Sequence, residues 1–237
     1  MTAAMPPRPP LDPGAEEMRE IGHRVVDWLV DQAAALDGAP VANLDALAVL
    51  AAEIDEPLPR APRPVAETLA LLDTRIVPRM TRVNHPRFHG YIPGPGSLYG
   101  ALGAFIGAAL NPVLGSSLGG ASFAAMELLT LRWIAEAVGY PPEAEGNFTS
   151  GGSMANLGAL SAARATVDDP ATAVVYVSAQ GHTSMEKAAA VVGFRPDQVV
   201  RLDTDEEFRL RPEDVVARCG HDRAAGRLPL VLSANAG

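Results

Sequence analysis

Residues 172–187 read Thr172-Ala-Val-Val-Tyr-Val-Ser-Ala-Gln-Gly-His-Thr-Ser-Met-Glu-Lys187. The first seven form a nearly continuous β-branched and apolar run, the composition of a strand buried on both faces. A strand with one wet face would alternate instead. Gln180 and Gly181 end the run. Thr183 and Glu186 then have the S/T-x-x-E spacing of a capping box, which predicts a helix from Ser184 to about Val192. His182 therefore sits in a strand-to-helix connection. Such corners line the ligand crevice of an open parallel sheet, although a capping or surface histidine also fits.

Outward from this stretch the pattern repeats. Downstream come a short strand at 198–202, a helix starting near Pro212 and a strand from Leu228 to Ser233. Upstream, Thr149-Ser-Gly-Gly-Ser-Met-Ala-Asn156 leads into a helix reaching about Val167. Alternating helix and strand signals an α/β layered domain with a largely parallel sheet. The Gly151-Gly152-Ser153 turn offers a phosphate or carboxylate nest, because the first amides of a helix are unpaired and a serine adds a hydroxyl. An ordinary glycine turn with a serine cap is the alternative. The segment is neither a GxxxxGK[ST] loop nor a GxGxxG fingerprint, which argues against nucleoside triphosphates and dinucleotides. Ser153 and Ser184 stand in no GxSxG elbow, so a hydrolase triad has weak support.

The N-terminal part reads differently. After a Pro-rich start at 1–11, Asp12-Pro13 predicts the cap of a long amphipathic helix running to about Ala35. A second short helix is expected from Asn43 to about Glu53, and a third from Val65 to Arg79. These helices have too little sequence for a large core of their own, so their apolar stripes pack on the rest of the chain or, the preferred reading, on a second subunit. Residues 84–97 form a turn-rich loop. Two small-residue helices follow, at about 98–110 and 122–138, joined by a Gly/Ser hinge at 115–120. Glu127 in the second reads as a boundary carboxylate paired with Arg132 or a neighbouring backbone. His85 and His89 lie four apart among prolines and glycines, without the further ligands a zinc site needs, so no metal is expected.

The 237 residues are 48% hydrophobic and 20% charged, with a net charge of −9. That balance supports a substantial core and argues against a nucleic-acid surface. Cys219 is the one cysteine, which excludes an internal disulfide and a cysteine-rich metal site. The stretch 98–114 is broken by glycines, Asn111 and Pro112, so no membrane span is expected and a cytoplasmic protein is the default.

Taken together, HPRFHGYIPGPGS (85–97), Met126-Glu127-Leu128, TSGGSMAN (149–156) and VYVSAQGHTSMEKAA (175–189) resemble the pyridoxal-phosphate-dependent group II decarboxylases, which include the aromatic-L-amino-acid decarboxylases. The similarity runs in order from about Pro13 to Gly237. It implies a fold-type I enzyme, α/β, with N-terminal helices before the largely parallel sheet of a large domain. Residues 1–83 would be a dimer-wrapping helical segment and 84–237 the first part of the large cofactor-binding domain. It further implies that Ser153 and the amides of Met154 and Ala155 hold the phosphate of pyridoxal 5'-phosphate. His182 would stack on its ring as the catalytic residue, and Tyr91, Ile92 and Pro93 would line the substrate pocket of a homodimer.

The implied reaction is decarboxylation of an L-amino acid, possibly aromatic, to the amine and carbon dioxide. Oxidative decarboxylation to an aldehyde and a non-catalytic dimerising fragment are the alternatives. Gly94 stands where the animal aromatic decarboxylases have threonine, and His89 replaces an aromatic or apolar residue, so the substrate stays unassigned. The family's cofactor-anchoring lysine and pyridine-pairing aspartate fall beyond Gly237. The chain is therefore expected to be incomplete and inactive alone, and Lys187 does not replace that lysine.

Overall fold

The computed structural model describes residues 13–92, 94, 96–115 and 118–235. They fall into two compact units that divide between Asn111 and Pro112.

The first unit is helical. Helix α1 spans Ala15–Ala34, with Gly14 as its N-cap and Glu16 and Glu17 in the first turn, where the helix dipole favours negative charge. The helix thus starts two residues after Pro13, and Asp12, the expected cap, lies outside the described residues, as does the Pro-rich 1–11 segment. Helix α2 spans Leu47–Ile54 rather than opening at Asn43. Asn43 Oδ1 instead accepts the Asp45 N–H (2.8 Å), an Asx turn that delays the helix. Helix α3, Val65–Leu71, continues through a wide π turn at Leu72–Ile76 into a tight turn at Val77–Arg79, where Pro78 supplies no backbone N–H. Asp73 in the π turn accepts from Trp28 Nε1 (2.7 Å) and Gln32 Nε2 (2.9 Å), tying α1 to this segment. Arg79 pairs with Asp45 (2.7 Å) and Glu53 (3.1 Å), tying it to α2.

Helix α4 spans Leu98–Leu110, as expected. Met18, Ile21, Val25 and Leu29 of α1 share a groove of about 420 Å³ with Leu98, Leu102 and Phe105 of α4. None of α1–α4 contains a buried residue, and Phe105 is 63% exposed. The expectation that these helices lack a substantial core of their own is met.

The second unit carries the sheet. Helix α5 (Ala121–Ala137) and helix α6 (Gly152–Ala165) precede strand β1 (Ala173–Ser178). Part of the expected 115–120 hinge, residues 116 and 117, lies outside the described residues. Helix α7 (Ser184–Val191), strand β2 (Val199–Leu202), helix α8 (Pro212–Ala224) and strand β3 (Leu228–Ser233) complete the unit. The sheet order is β2-β1-β3, all parallel, with β1 central and all six of its residues buried. Period-two alternation sends Ala173, Val175 and Val177 into a core with Leu160, Ala188, Ala189 and Phe194. Val174 and Tyr176 enter the opposite core with Val200, Leu202, Leu210, Val215 and Cys219. The register against β3 slips between Val174 and Val175, beside Pro229, which cannot donate to the ladder.

Asp222 of α8, 1% exposed, locks the second core. It accepts from Tyr176 Oη (2.8 Å) and Arg218 Nε (2.9 Å) at one oxygen and from Arg227 Nη1 (3.3 Å) at the other. Burial pushes its carboxyl up, but the tyrosine bond and the two guanidinium groups outweigh that and hold it below the usual range. Burial, then the bond to Asp222, raises the Tyr176 phenol. A carboxyl depressed in the folded state contributes stability above its unfolded titration range and loses it as pH falls through the folded value. Asp222→Asn should therefore cost about 1.5–3 kcal/mol near neutral pH, the worth of a hydrogen bond to a charged group, with the deficit shrinking as pH falls through the lowered folded value. Urea unfolding of both proteins across that range measures it.

Candidate functional site

The C-terminal end of β1 delivers a tight turn. Gly181 N–H donates to the Ser178 carbonyl (2.8 Å), and a Cβ on Gly181 would lie 2.9 Å from that same oxygen. Glycine is needed there because the clash is with backbone. His182 follows, exposed on its outer side.

The expected capping box does not form. Thr183 has helical dihedrals (φ −60°, ψ −11°) and makes no side-chain cap, whereas a capping residue usually keeps extended backbone. Glu186 turns to Arg201, which donates to both carboxylate oxygens (2.7 and 2.8 Å) and holds that carboxyl below its usual range. The cap comes from His182 instead, whose Nδ1 accepts the Ser184 backbone N–H (3.2 Å).

The other half of the site is the start of α6. Gly151 adopts φ +155°, ψ 172°, a region essentially restricted to glycine, and its carbonyl accepts the Thr149 hydroxyl (3.1 Å). The amides of Met154 and Ala155, expected to face a phosphate, both donate to the Gly151 carbonyl (3.0 and 3.1 Å). A helix frees only its earliest amides once the ladder closes. The N–H groups of Gly152 and Ser153 donate to no described residue. Ser153 is exposed, and nothing lies within 4 Å of a Cβ built on Gly152.

Asn156 joins the halves. Its Nδ2 donates to Ser184 Oγ (2.8 Å), and Ser184 Oγ lies 2.8 Å from His182 Nδ1. Asn156 is three and four residues beyond Ser153 and Gly152, on the same face of α6 and one turn along. The imidazole is thus tethered, through Ser184, to a residue one helical turn beyond two free amides and a hydroxyl. That donor set suits a compact anion such as a phosphate, beside a flat ring that could cover a planar group. Ser184 is 5% exposed and engaged on both sides, so it is not an accessible nucleophile. The Asn156–Ser184 contact spans 28 residues, and the only local signal for it is the fixed offset of each from Gly152 and His182.

Tyr91 and Ile92, in the first unit, are 88% and 87% exposed, and Tyr91 has φ +57° with its ring 6.0 Å from that of Phe88. Pro93 lies outside the described residues. His85 is buried, with Nδ1 accepting the Arg87 N–H (3.0 Å), while His89 is exposed. No cluster of three potential metal ligands occurs among the described residues. Glu127 Oε1 accepts the Phe148 backbone N–H (2.8 Å), the backbone partnership expected of it. No helix among the described residues is long and apolar enough to cross a membrane.

A model of the pyridoxal-dependent decarboxylase conserved domain matches residues 49–237. The chain belongs to that family. An aromatic-L-amino-acid decarboxylase of Bacillus atrophaeus is 35% identical over 229 residues, covering 96% of this chain and 48% of the relative. A phenylacetaldehyde synthase of Arabidopsis thaliana is 29% identical over 242 residues, covering 96% and 49%. The structure of Oryza sativa TDC with PLP and tryptamine superposes with a TM-score of 0.86 at 25% identity, over 95% of this chain and 49% of that one. The chain thus spans about half the length of these relatives. The parallel sheet flanked by helices is the fold-type I architecture of a pyridoxal-phosphate-dependent decarboxylase, present here in part.

Gly181→Ala should destabilise the family fold here by about 1–3 kcal/mol, because the added methyl meets backbone. Gly158→Ala, in α6 with nothing within 4 Å of the new Cβ, should be neutral or stabilising by up to about 1 kcal/mol. Thermal unfolding of the two variants makes the comparison.

Proposed function

We propose that residues 1–237 are the cofactor-cradling part of a pyridoxal-phosphate-dependent L-amino-acid decarboxylase. The observation that carries this is the tether Asn156–Ser184–His182, which ties an imidazole to helix α6 one turn beyond the free Gly152 and Ser153 amides. The Ser153 hydroxyl and those two amides bind the phosphate, with Met154 and Ala155 closing the helix beneath it. His182 covers the ring face and is the catalytic residue of this segment. Tyr91, Ile92 and Pro93 contribute to the substrate pocket, and a second copy of the chain covers the apolar stripes of α1 and α4. The 1–83 segment is the dimer-wrapping part, and 84–237 begins the large domain.

When bound, the cofactor accepts the electron pair left as the bond to the carboxylate breaks. The chain's own residues do the rest of what is assigned here. Gly151 keeps the helix start open, the amides neutralise the anionic tail, and the imidazole restricts tilt of the planar group. The lysine that anchors the cofactor covalently is supplied from outside residues 1–237, and Lys187 in α7 does not serve. The substrate class is an L-amino acid with an aromatic side chain, in keeping with the Bacillus relative. Oxidative decarboxylation to an aldehyde is the second reading, favoured by the phenylacetaldehyde synthase at comparable coverage.

The complete protein should bind pyridoxal 5'-phosphate with a visible absorbance band, and Ser153→Ala should weaken that binding by about tenfold, the loss of one hydrogen bond to a charged group. Borohydride reduction followed by peptide mapping should find the modified lysine outside residues 1–237. With aromatic amino acids, amine and carbon dioxide support simple decarboxylation. Aldehyde, carbon dioxide, ammonia and hydrogen peroxide, with oxygen consumed, support the oxidative reading. A complete protein that binds no cofactor would overturn both and leave the dimerising role.

A further inference from the structure

The contacts around His182 favour one direction of hydrogen bonding. The Ser184 backbone N–H can only donate, and it meets His182 Nδ1 at 3.2 Å. The nitrogen receiving it must present its lone pair, so Nδ1 carries no proton. Ser184 Oγ, 2.8 Å from the same Nδ1, therefore has no ring proton to accept and directs its own hydroxyl proton there. Its lone pairs are left for Asn156, whose amide Nδ2 stands at 2.8 Å and donates. Polarity runs from the Asn156 amide, through the Ser184 hydroxyl, into Nδ1. The ring's proton is consequently on Nε2, the nitrogen these contacts leave free.

We propose that Asn156 and Ser184 are positioning residues that hold His182 as an Nε2–H donor and fix its ring against α6. Neither touches the reacting atoms; both act through the imidazole. Ser184 suits this role because it is 5% exposed, so water does not compete for its hydroxyl, while His182 itself is exposed. Asn156 selects the hydroxyl's direction: an amide N–H can only donate to Oγ, which turns the serine proton towards the ring. A carboxylate at 156 would accept that proton instead and turn an Oγ lone pair towards Nδ1. The outward Nε2–H then defines what His182 can offer a bound molecule, a single hydrogen-bond donor suited to an anionic oxygen such as an amino-acid carboxylate, and no outward lone pair for taking a proton.

The tautomer follows from this chain's own contacts; its bearing on catalysis rests on the cofactor reading above. The test uses the complete protein labelled with ¹⁵N-histidine and free of cofactor, with the His182 signal identified by its loss in His182→Gln. Long-range ¹H–¹⁵N spectra of the wild type should show Nδ1 unprotonated and Nε2 protonated. Asn156→Asp should move His182 towards the Nδ1-protonated form. Ser184→Ala should broaden or shift its nitrogens as the ring loses one of its two fixed donors, and Ser184→Thr, which restores a hydroxyl, should bring them back.

In the cofactor-loaded protein, Ser184→Ala and Asn156→Asp should lower kcat by about tenfold or more, the scale of a small misplacement of a reacting group, with KM changed less than kcat. Their visible circular dichroism should also weaken. Wild-type Nδ1 found protonated, or variant nitrogen spectra that match the wild type, would overturn the proposal. Should the buried Ser184→Ala fail to fold, Asn156→Asp and Ser184→Thr decide it, because Asn156 is half-buried and threonine keeps the hydroxyl. The nitrogen spectra need no cofactor. Failure to bind pyridoxal phosphate would thus sink the functional reading while leaving the network decided, and cofactor binding with unchanged nitrogens would sink the network alone.

Discussion

Strand β1 has no wet face, and this constraint organises the second unit. Each of its six residues is buried, with side chains alternating between two cores on opposite faces of the sheet. Such a strand is stable only if helices cover both faces, which is why α6 and α7 pack on one side and α8 on the other. A register slip of one residue would exchange the two sets of side chains, so the pairing is strongly specified. The position at which β1 ends, and hence where His182 emerges, is set by the same burial.

Polar groups complete what apolar packing begins. On one face Tyr176 reaches through the core to Asp222, whose charge is tolerated because the tyrosine and two arginines surround it. On the other, half-buried Asn156 reaches Ser184, so that two helices packed through alanines and leucines also acquire a directional contact. The first network serves the fold. The second lies at the crevice end of the sheet and sets the orientation of a side chain that faces outward. Each centres on a buried polar group, Asp222 or Ser184, with its partners supplied, which is how a polar atom persists inside a core.

Much of this was legible along the chain. The Val-rich run of β1, the helix from Ser184, the glycine turn before α6 and helix α4 are local patterns, and local patterns survive folding when burial agrees with them. One misreading has a physical cause. Thr183 and Glu186 had the spacing of a capping box, but Thr183 is itself helical and Glu186 found a guanidinium on β2, 15 residues away. Arg201 won the Glu186 carboxylate, and no pattern within a few residues announces such a partner.

The order of residues by itself determined the alternation of helix and strand, the largely parallel character of the sheet and the presence of a glycine-lined helix start, because these depend on side-chain periodicity and on backbone freedom at single positions. Tertiary structure decided which groups meet: Asn156 with Ser184 across 28 residues and Tyr176 with Asp222 across 46. Hydrogen bonds act only within about 3 Å and in narrow directions. Separation along the chain carries no record of them until the packing of β1 has set the distances.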